Sequence, residues 1–148
     1  SPLQVVVSGI KKNLIDSENF FKQSGAKKFV MLNVSSAFHS VLMNNAQNEM
    51  STYIKKINFN KSDISIISNY SAQISNSNQI LIENLSKQMS NKVRWVESIQ
   101  CLQNEQQTKI LEIGPGKVLT GLIKRISNNF NILNIEKTTD IEKIKNEL

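Results

Sequence analysis

The stretch KILEIGPGKVLTGLIKRI, residues 109–126, predicts a strand, a tight turn and a helix in direct succession. Residues 109–113 carry apolar side chains on both faces, which is typical of a strand in a parallel sheet. Gly114-Pro115-Gly116 is a strong turn signal. The apolar residues that follow recur at helical spacing: Val118, Leu119, Leu122, Ile123 and Ile126. This succession favours an α/β fold with a largely parallel sheet.

The rest of the chain continues the alternation of short strands and helices. Further strands are expected at residues 4–7, 28–33, 64–67 and 131–135. Further helices are expected at residues 10–23, 41–56, 80–89, 95–102 and 141–148. Gly25 lies just after the first of these helices, where a glycine often ends a helix.

His39 is the only histidine in the chain, and histidine is the commonest general base near neutral pH. It lies between the expected strand at 28–33 and the expected helix that starts after Ser40, which is a plausible N-cap. This places His39 on a strand-to-helix turn. From position alone a second interpretation stays open, in which His39 is a loop residue that is solvated or bonded to backbone.

The composition indicates which binding partners, metal sites and membrane spans are to be expected. The 148 residues carry a net charge of +6, but only two of the basic residues are arginines and no nucleic-acid-binding signature is present. An acidic protein partner explains the charge equally well. One histidine, one cysteine and scattered carboxylates do not predict a metal site. No apolar run is long enough to span a membrane, and the opening Ser1-Pro2 suggests a piece of a longer protein.

The Gly-Pro-Gly turn has two interpretations on its own. A glycine-rich turn before a helix can bind an anion through backbone N–H groups. This turn lacks the lysine and serine of a phosphate-binding loop, so a simple tight turn is favoured on spacing.

Several short blocks occur in a fixed order along the chain: SPLQVVVSG at 1–9, GAKK at 25–28, SAFHS at 36–40, LM at 42–43, QM at 88–89, VRW at 93–95 and EIGPGKVLTGL at 112–122. Together they resemble the C-terminal half of malonyl-CoA:acyl carrier protein transacylases, a family that includes the acyltransferase domains of fatty acid and polyketide synthases. One departure is Ala37, where the bacterial enzymes usually carry proline.

The resemblance implies an α/β-hydrolase-like domain with an inserted ferredoxin-like subdomain. Residues 1–34 would be the second half of that insert, and residues 35–148 the C-terminal part of the acyltransferase domain. In the family a serine on a Gly-x-Ser-x-Gly elbow attacks the malonyl thioester. No two glycines here lie four residues apart, so the elbow is absent from this chain. Arg94 and Arg125 match other blocks, so the family's carboxylate-binding arginine is absent as well.

The resemblance also implies residue roles. His39 matches the base that takes the serine proton and later protonates the leaving thiol. Gln88 matches a residue whose backbone carbonyl holds the imidazole and fixes its tautomer. Phe38 matches a residue associated with preference for malonyl over 2-branched acyl groups.

Two basic pairs are candidates for docking the acidic carrier protein. Lys124 and Arg125 lie on the helix after the Gly-Pro-Gly turn, and Lys27 and Lys28 form the second pair. A solvated helix face is the alternative interpretation of the first pair.

The expected function is therefore transfer of malonyl from malonyl-CoA to the phosphopantetheine thiol of acyl carrier protein in fatty acid biosynthesis. The expected partners are those two substrates and the N-terminal half of the enzyme, with no cofactor, metal, nucleic acid or membrane. A bacterial cytoplasm or an organellar stroma or matrix is the expected location. Without its serine this chain alone is expected to be inactive. The alternative is a non-catalytic module that binds acyl carrier protein.

Overall fold

The computed structural model describes residues 1–145 and divides them into two compact units. One unit combines Ser1–Val5 with the chain from Arg94 onward, and the other is Val6–Val93. The elements in chain order are α1 (Lys11–Asp16), α2 (Glu18–Gln23), a 3₁₀ turn (Val41–Met43), α3 (Asn44–Ile54), β1 (Ile66–Ile67), β2 (Ile74–Ser75), α4 (Asn78–Lys87), α5 (Trp95–Asn104), β3 (Lys109–Ile113), α6 (Val118–Lys124), β4 (Asn131–Ile135) and α7 (Thr138–Ile144).

The unit that begins at Arg94 is built on the parallel pair β3 and β4, in register from Lys109 opposite Asn131 to Ile113 opposite Ile135. Beyond β3 the backbone N–H of Gly114 donates to the Ile135 carbonyl at 2.9 Å, which extends the pairing into the turn. Gly114 and Gly116 have φ angles of +135° and +81°, in the region that glycine reaches without steric cost. The predicted strand, turn, helix and parallel strand are confirmed.

A small apolar core lies against one face of this pair. Ile99 of α5, Ile123 of α6 and Phe130 before β4 are buried, and partly buried side chains pack around them: Trp95, Leu102, Ile110, Ile126 and Ile132. On the other face of β3, Leu111 and Ile113 are exposed, with Ile113 75% accessible. In the part of the chain that the structure describes, β3 is therefore covered on one face only, although its apolar side chains lie on both faces.

Glu112 links three elements of the same unit. Its carboxylate accepts hydrogen bonds from the backbone N–H groups of Leu119 and Thr120 at 2.9 and 2.8 Å, and from the Thr120 hydroxyl at 2.5 Å. The Asn134 side-chain amide of β4 donates to the same carboxylate at 2.9 Å. The hydrogen bond from the Thr120 hydroxyl is the largest cause that lowers the pKa of Glu112, and the two backbone N–H groups add to it.

In the unit Val6–Val93, helices α3 and α4 pack together and β1 pairs antiparallel with β2. The Ser40 hydroxyl accepts the Leu42 N–H at 3.3 Å, which confirms Ser40 as a helix N-cap. The first turn after this cap is 3₁₀ and passes directly into α3. The helix predicted to run to about residue 56 ends at Ile54.

The strands predicted at 4–7 and 28–33 are wrong, since neither stretch is assigned as a strand. A strand exists only where a neighbour pairs with its backbone, and β-branched residues show only that a segment suits a packed, pleated surface. Within the described residues these stretches are unpaired and their apolar side chains are largely exposed: Val5, Val6, Val7, Val30, Met31 and Leu32.

Other boundaries also differ from expectation. The helix predicted over 10–23 divides at Ser17, whose hydroxyl donates to the Leu14 carbonyl and competes with helical hydrogen bonding. The predicted buried strand at 64–67 is only Ile66–Ile67, and Ile66 is exposed. Its partner β2, Ile74–Ser75, falls in a Ser/Asn-rich stretch for which the sequence predicts no strand. The predicted helix ending of α2 is confirmed, with Gly25 at φ +97°.

The terminal helix predicted over 141–148 is α7, Thr138–Ile144, and Leu148 lies outside the described residues. The domain boundary at residue 34 stays a prediction.

Replacing Glu112 by glutamine tests the carboxylate link. Because the folded-state pKa lies below the ordinary value of 4.5, the stabilisation is present above that pH and is lost as pH falls through the lower, folded value. Glu112→Gln should therefore unfold more easily at about pH 7. It should also lose stability less steeply below pH 4.5 than the unaltered chain does. Urea unfolding at a series of pH values measures both. The exposed Glu105→Gln is the control, and equal pH slopes for all three proteins would contradict the link.

Candidate active site

His39 is held in an unusual backbone conformation between Phe38 and the Ser40 cap. Its φ angle is +63°, which non-glycine residues seldom adopt. Its backbone N–H donates to the Met89 carbonyl at 2.9 Å, a contact with the segment that follows α4. Backbone strain of this kind persists only where surrounding contacts fix it, and it is concentrated at functional sites.

The imidazole is oriented by two backbone carbonyls of the same segment. His39 Nδ1 lies 3.2 Å from the Gln88 oxygen and 3.0 Å from the Asn91 oxygen. Carbonyl oxygens only accept hydrogen bonds, so Nδ1 must carry the hydrogen. In the neutral ring Nε2 then has a free lone pair, which is the state required of a general base. The side chain is exposed.

Phe38 and Gln88 both lie next to His39, Phe38 as its neighbour in the chain and Gln88 through its backbone carbonyl. Phe38 precedes the histidine in the chain and is 46% accessible, and Gln88 is the C-cap of α4. The second carbonyl, from Asn91, was not predicted from the sequence. A backbone oxygen is available at every residue, so no residue type at position 91 signals this contact.

Curated relatives match almost the whole chain. Malonyl CoA-acyl carrier protein transacylase of Bacillus subtilis strain 168 is 35% identical over 141 residues, or 95% of this chain and 44% of the relative. Polyketide biosynthesis protein PksE of the same organism is 42% identical over 129 residues, or 86% of this chain and 17% of the relative. The chain spans about half the length of the curated transacylases it matches. No protein-family model matches it.

Solved structures agree with these relatives. A malonyl-transacylase in complex with its type II polyketide synthase acyl-carrier protein superposes with a TM-score of 0.89 and 29% identity, over 95% of this chain and 45% of that one. The malonyl-CoA:acyl carrier protein transacylase of Synechocystis sp. PCC 6803 gives 0.84 and 32%, over 92% and 45%. The chain is homologous to the C-terminal half of malonyl CoA-acyl carrier protein transacylases. Its mixed α/β architecture matches the C-terminal portion of the solved transacylases.

The basic pair Lys124 and Arg125 lies in the unit that begins at Arg94. Lys124 is the last residue of α6, and Arg125 caps that helix and donates from Nη1 to the Gln4 side-chain oxygen at 2.8 Å. Cations at a helix C-terminus are favourable in any protein, so this placement by itself is compatible with both interpretations of the pair. Lys27 and Lys28 are exposed in the unit Val6–Val93.

Residues 1–145, the part of the chain that the structure describes, contain neither a metal-binding cluster nor a membrane-spanning helix. Within them no group of three histidine, cysteine, aspartate or glutamate side chains converges on a possible metal position. None of their helices is both long enough and apolar enough to cross a bilayer.

Proposed function

We propose that this chain supplies the general base and part of the acyl pocket of a malonyl-CoA:acyl carrier protein transacylase. The nucleophilic serine and the carboxylate-binding arginine would come from a segment outside it. The observation that carries the proposal is the pair of carbonyls at His39 Nδ1, which leaves Nε2 free to accept a proton. The names of the curated relatives support the choice of substrates.

In the proposed reaction, His39 Nε2 takes the hydroxyl proton of the serine as the serine oxygen attacks the malonyl thioester carbonyl. The C–S bond then breaks, and the imidazolium returns the proton to the coenzyme A thiolate. In the second half, Nε2 takes the proton of the phosphopantetheine thiol of the carrier protein. The resulting thiolate attacks the acyl-serine, and the serine oxygen leaves with that proton. No step needs a cofactor or a metal.

The exposed apolar residues support the presence of a covering segment. The side chains of the unpaired stretches 4–7 and 28–33, and those of Leu111 and Ile113 on β3, are more accessible than core residues of these types usually are. We infer that the remaining part of the enzyme covers them. In this arrangement residues 1–34 complete a ferredoxin-like insert, and β3 and β4 extend into a larger α/β-hydrolase-like sheet.

The proposal is tested by joining this chain to the N-terminal half of the Bacillus subtilis transacylase. The fusion should transfer malonyl from malonyl-CoA to acyl carrier protein, because it unites the serine with its base. This chain alone should neither turn over nor become malonylated. Gel filtration and circular dichroism establish that each protein is folded. Malonylation of the chain alone would contradict the proposal. Binding of carrier protein without transfer by a folded fusion would favour the non-catalytic module.

Two neighbouring residues should have separable effects in the fusion. His39→Ala should lower the transfer rate by about 10²–10⁴-fold, the usual contribution of a positioned general base. Phe38→Ser should open space for a 2-methyl group and reduce discrimination against methylmalonyl-CoA by about 10–200-fold. The ratio of kcat/KM for the two acyl donors, measured with the melting temperature, checks both. An unchanged ratio with a lowered melting temperature would mean that Phe38 serves packing only.

We propose that Lys124 and Arg125 help to dock the acidic carrier protein. Charges at the rim of an interface mainly change the association rate and its salt dependence. In the fusion, Lys124→Glu with Arg125→Glu should raise the apparent KM for carrier protein at low salt and leave hydrolysis of the malonyl-enzyme unchanged. The pair Lys11→Glu with Lys12→Glu on α1 is the control. Equal effects of the two pairs would rule out the docking role.

A further inference from the structure

The two carbonyls that hold His39 belong to a short segment, residues 88–91, which is itself held by a side chain of α3. Gln47 Oε1 accepts the backbone N–H of Ser90 at 2.9 Å and the Ser90 hydroxyl at 2.8 Å. The N–H group can only donate, so the oxygen of the Gln47 amide must face Ser90. This double contact fixes the position of the residue immediately before Asn91.

Asn91 connects Ser90 to the carbonyl that contacts the imidazole. The Asn91 side-chain amide donates to the Lys87 carbonyl at 2.8 Å and to the Ser90 hydroxyl at 3.3 Å. The Asn91 backbone oxygen then lies 3.0 Å from His39 Nδ1. Gln47 and Ser90 are both partly buried, so these hydrogen bonds are less exposed to competition from water than the imidazole is.

Gln47 and His39 are also connected along the chain. Gln47 lies in the first turns of α3, the helix that follows directly after the Ser40 cap and the 3₁₀ turn. The 3₁₀ turn that Ser40 caps follows directly after His39, and α3 continues that turn. Gln47 of α3 in turn holds the segment whose carbonyls face Nδ1. A second contact, from the Ser51 hydroxyl of α3 to the Ser86 carbonyl of α4 at 3.3 Å, joins α3 to the helix that precedes this segment.

We propose that Gln47 is a positioning residue for His39. By holding Ser90 it fixes the segment whose carbonyls select the Nδ1–H tautomer, and so keeps Nε2 available to take a proton. The catalytic consequence rests on the proposed function, whereas the effect on the imidazole depends only on the contacts described here.

The effect on the imidazole is measured by ¹⁵N NMR of the 148-residue chain, whose single histidine gives one imidazole spin system. At about pH 9 a histidine ring is neutral, so the spectrum reports the tautomer ratio. The unaltered chain should show mainly Nδ1–H. Gln47→Met removes the acceptor at similar length and should move the ratio towards Nε2–H. Gln47→Glu restores an acceptor oxygen and should restore the ratio. Asn48→Met, at the next and exposed position, is the control.

The catalytic effect is measured in the fusion with the N-terminal half of the relative. Gln47→Met should lower kcat by up to about 100-fold, the cost of a small misplacement of a catalytic group, with a smaller change in KM for malonyl-CoA. Gln47→Glu should recover most of the rate. Should Gln47→Met not fold, Ser90→Ala removes one of the two hydrogen bonds to Gln47, together with the longer one from the Asn91 amide. It should shift the tautomer ratio in the same direction.

The outcomes separate the two proposals. A lowered melting temperature with an unchanged tautomer ratio would overturn the role of Gln47, as would an equal effect of Asn48→Met. The tautomer ratio could shift in the Gln47→Met chain while the unaltered fusion folds but shows no transferase activity. That pair of results would support the role of Gln47 and contradict the proposed transacylase function.

Discussion

The arrangement of the candidate site depends on one constraint: His39 Nδ1 lies between two backbone carbonyls, those of Gln88 and Asn91. Each oxygen can accept only, so the ring hydrogen is confined to Nδ1 and the reactive lone pair to Nε2. The positive φ of His39, its N–H bond to Met89 and the Ser40 cap all bring the imidazole to this position. Since carbonyl oxygens do not ionise, this choice of tautomer does not depend on a second titratable side chain.

In the unit that begins at Arg94, one polar side chain connects the elements around a small α/β core. Glu112 lies in β3 and receives donors from the start of α6 and from Asn134 on β4. The carboxylate at the N-terminal end of α6 is also favoured by the helix dipole. It therefore joins β3, β4 and α6 on the face of β3 that also carries Ile110 of the core. The apolar residues left exposed on β3 are those that a larger sheet with neighbouring layers would bury.

The sequence predicts well where the signals are local. The glycines at 114 and 116, the spacing of apolar residues in α6 and the Ser40 cap each specify geometry within a few residues, and all are confirmed. Prediction fails where a strand depends on pairing with a distant segment. The valines at 5–7 suit a strand but have no partner among the described residues. His39 stands out as the single histidine, and the block around it carries the family resemblance. The contacts of the Asn91 carbonyl and of the Gln47 side chain form only when the chain folds, and no sequence motif predicts them.

We propose that His39 presents an unprotonated Nε2 to a serine supplied by another segment. The most direct test is the distance between His39 Nε2 and that serine Oγ in a crystal structure of the complete enzyme. We expect the two atoms to lie within hydrogen-bond reach, about 2.6–3.2 Å or one bridging water, with Nδ1 still in contact with the Gln88 and Asn91 carbonyls. An imidazole that turns Nδ1 towards the serine, or that lies beyond the reach of one water, would contradict it.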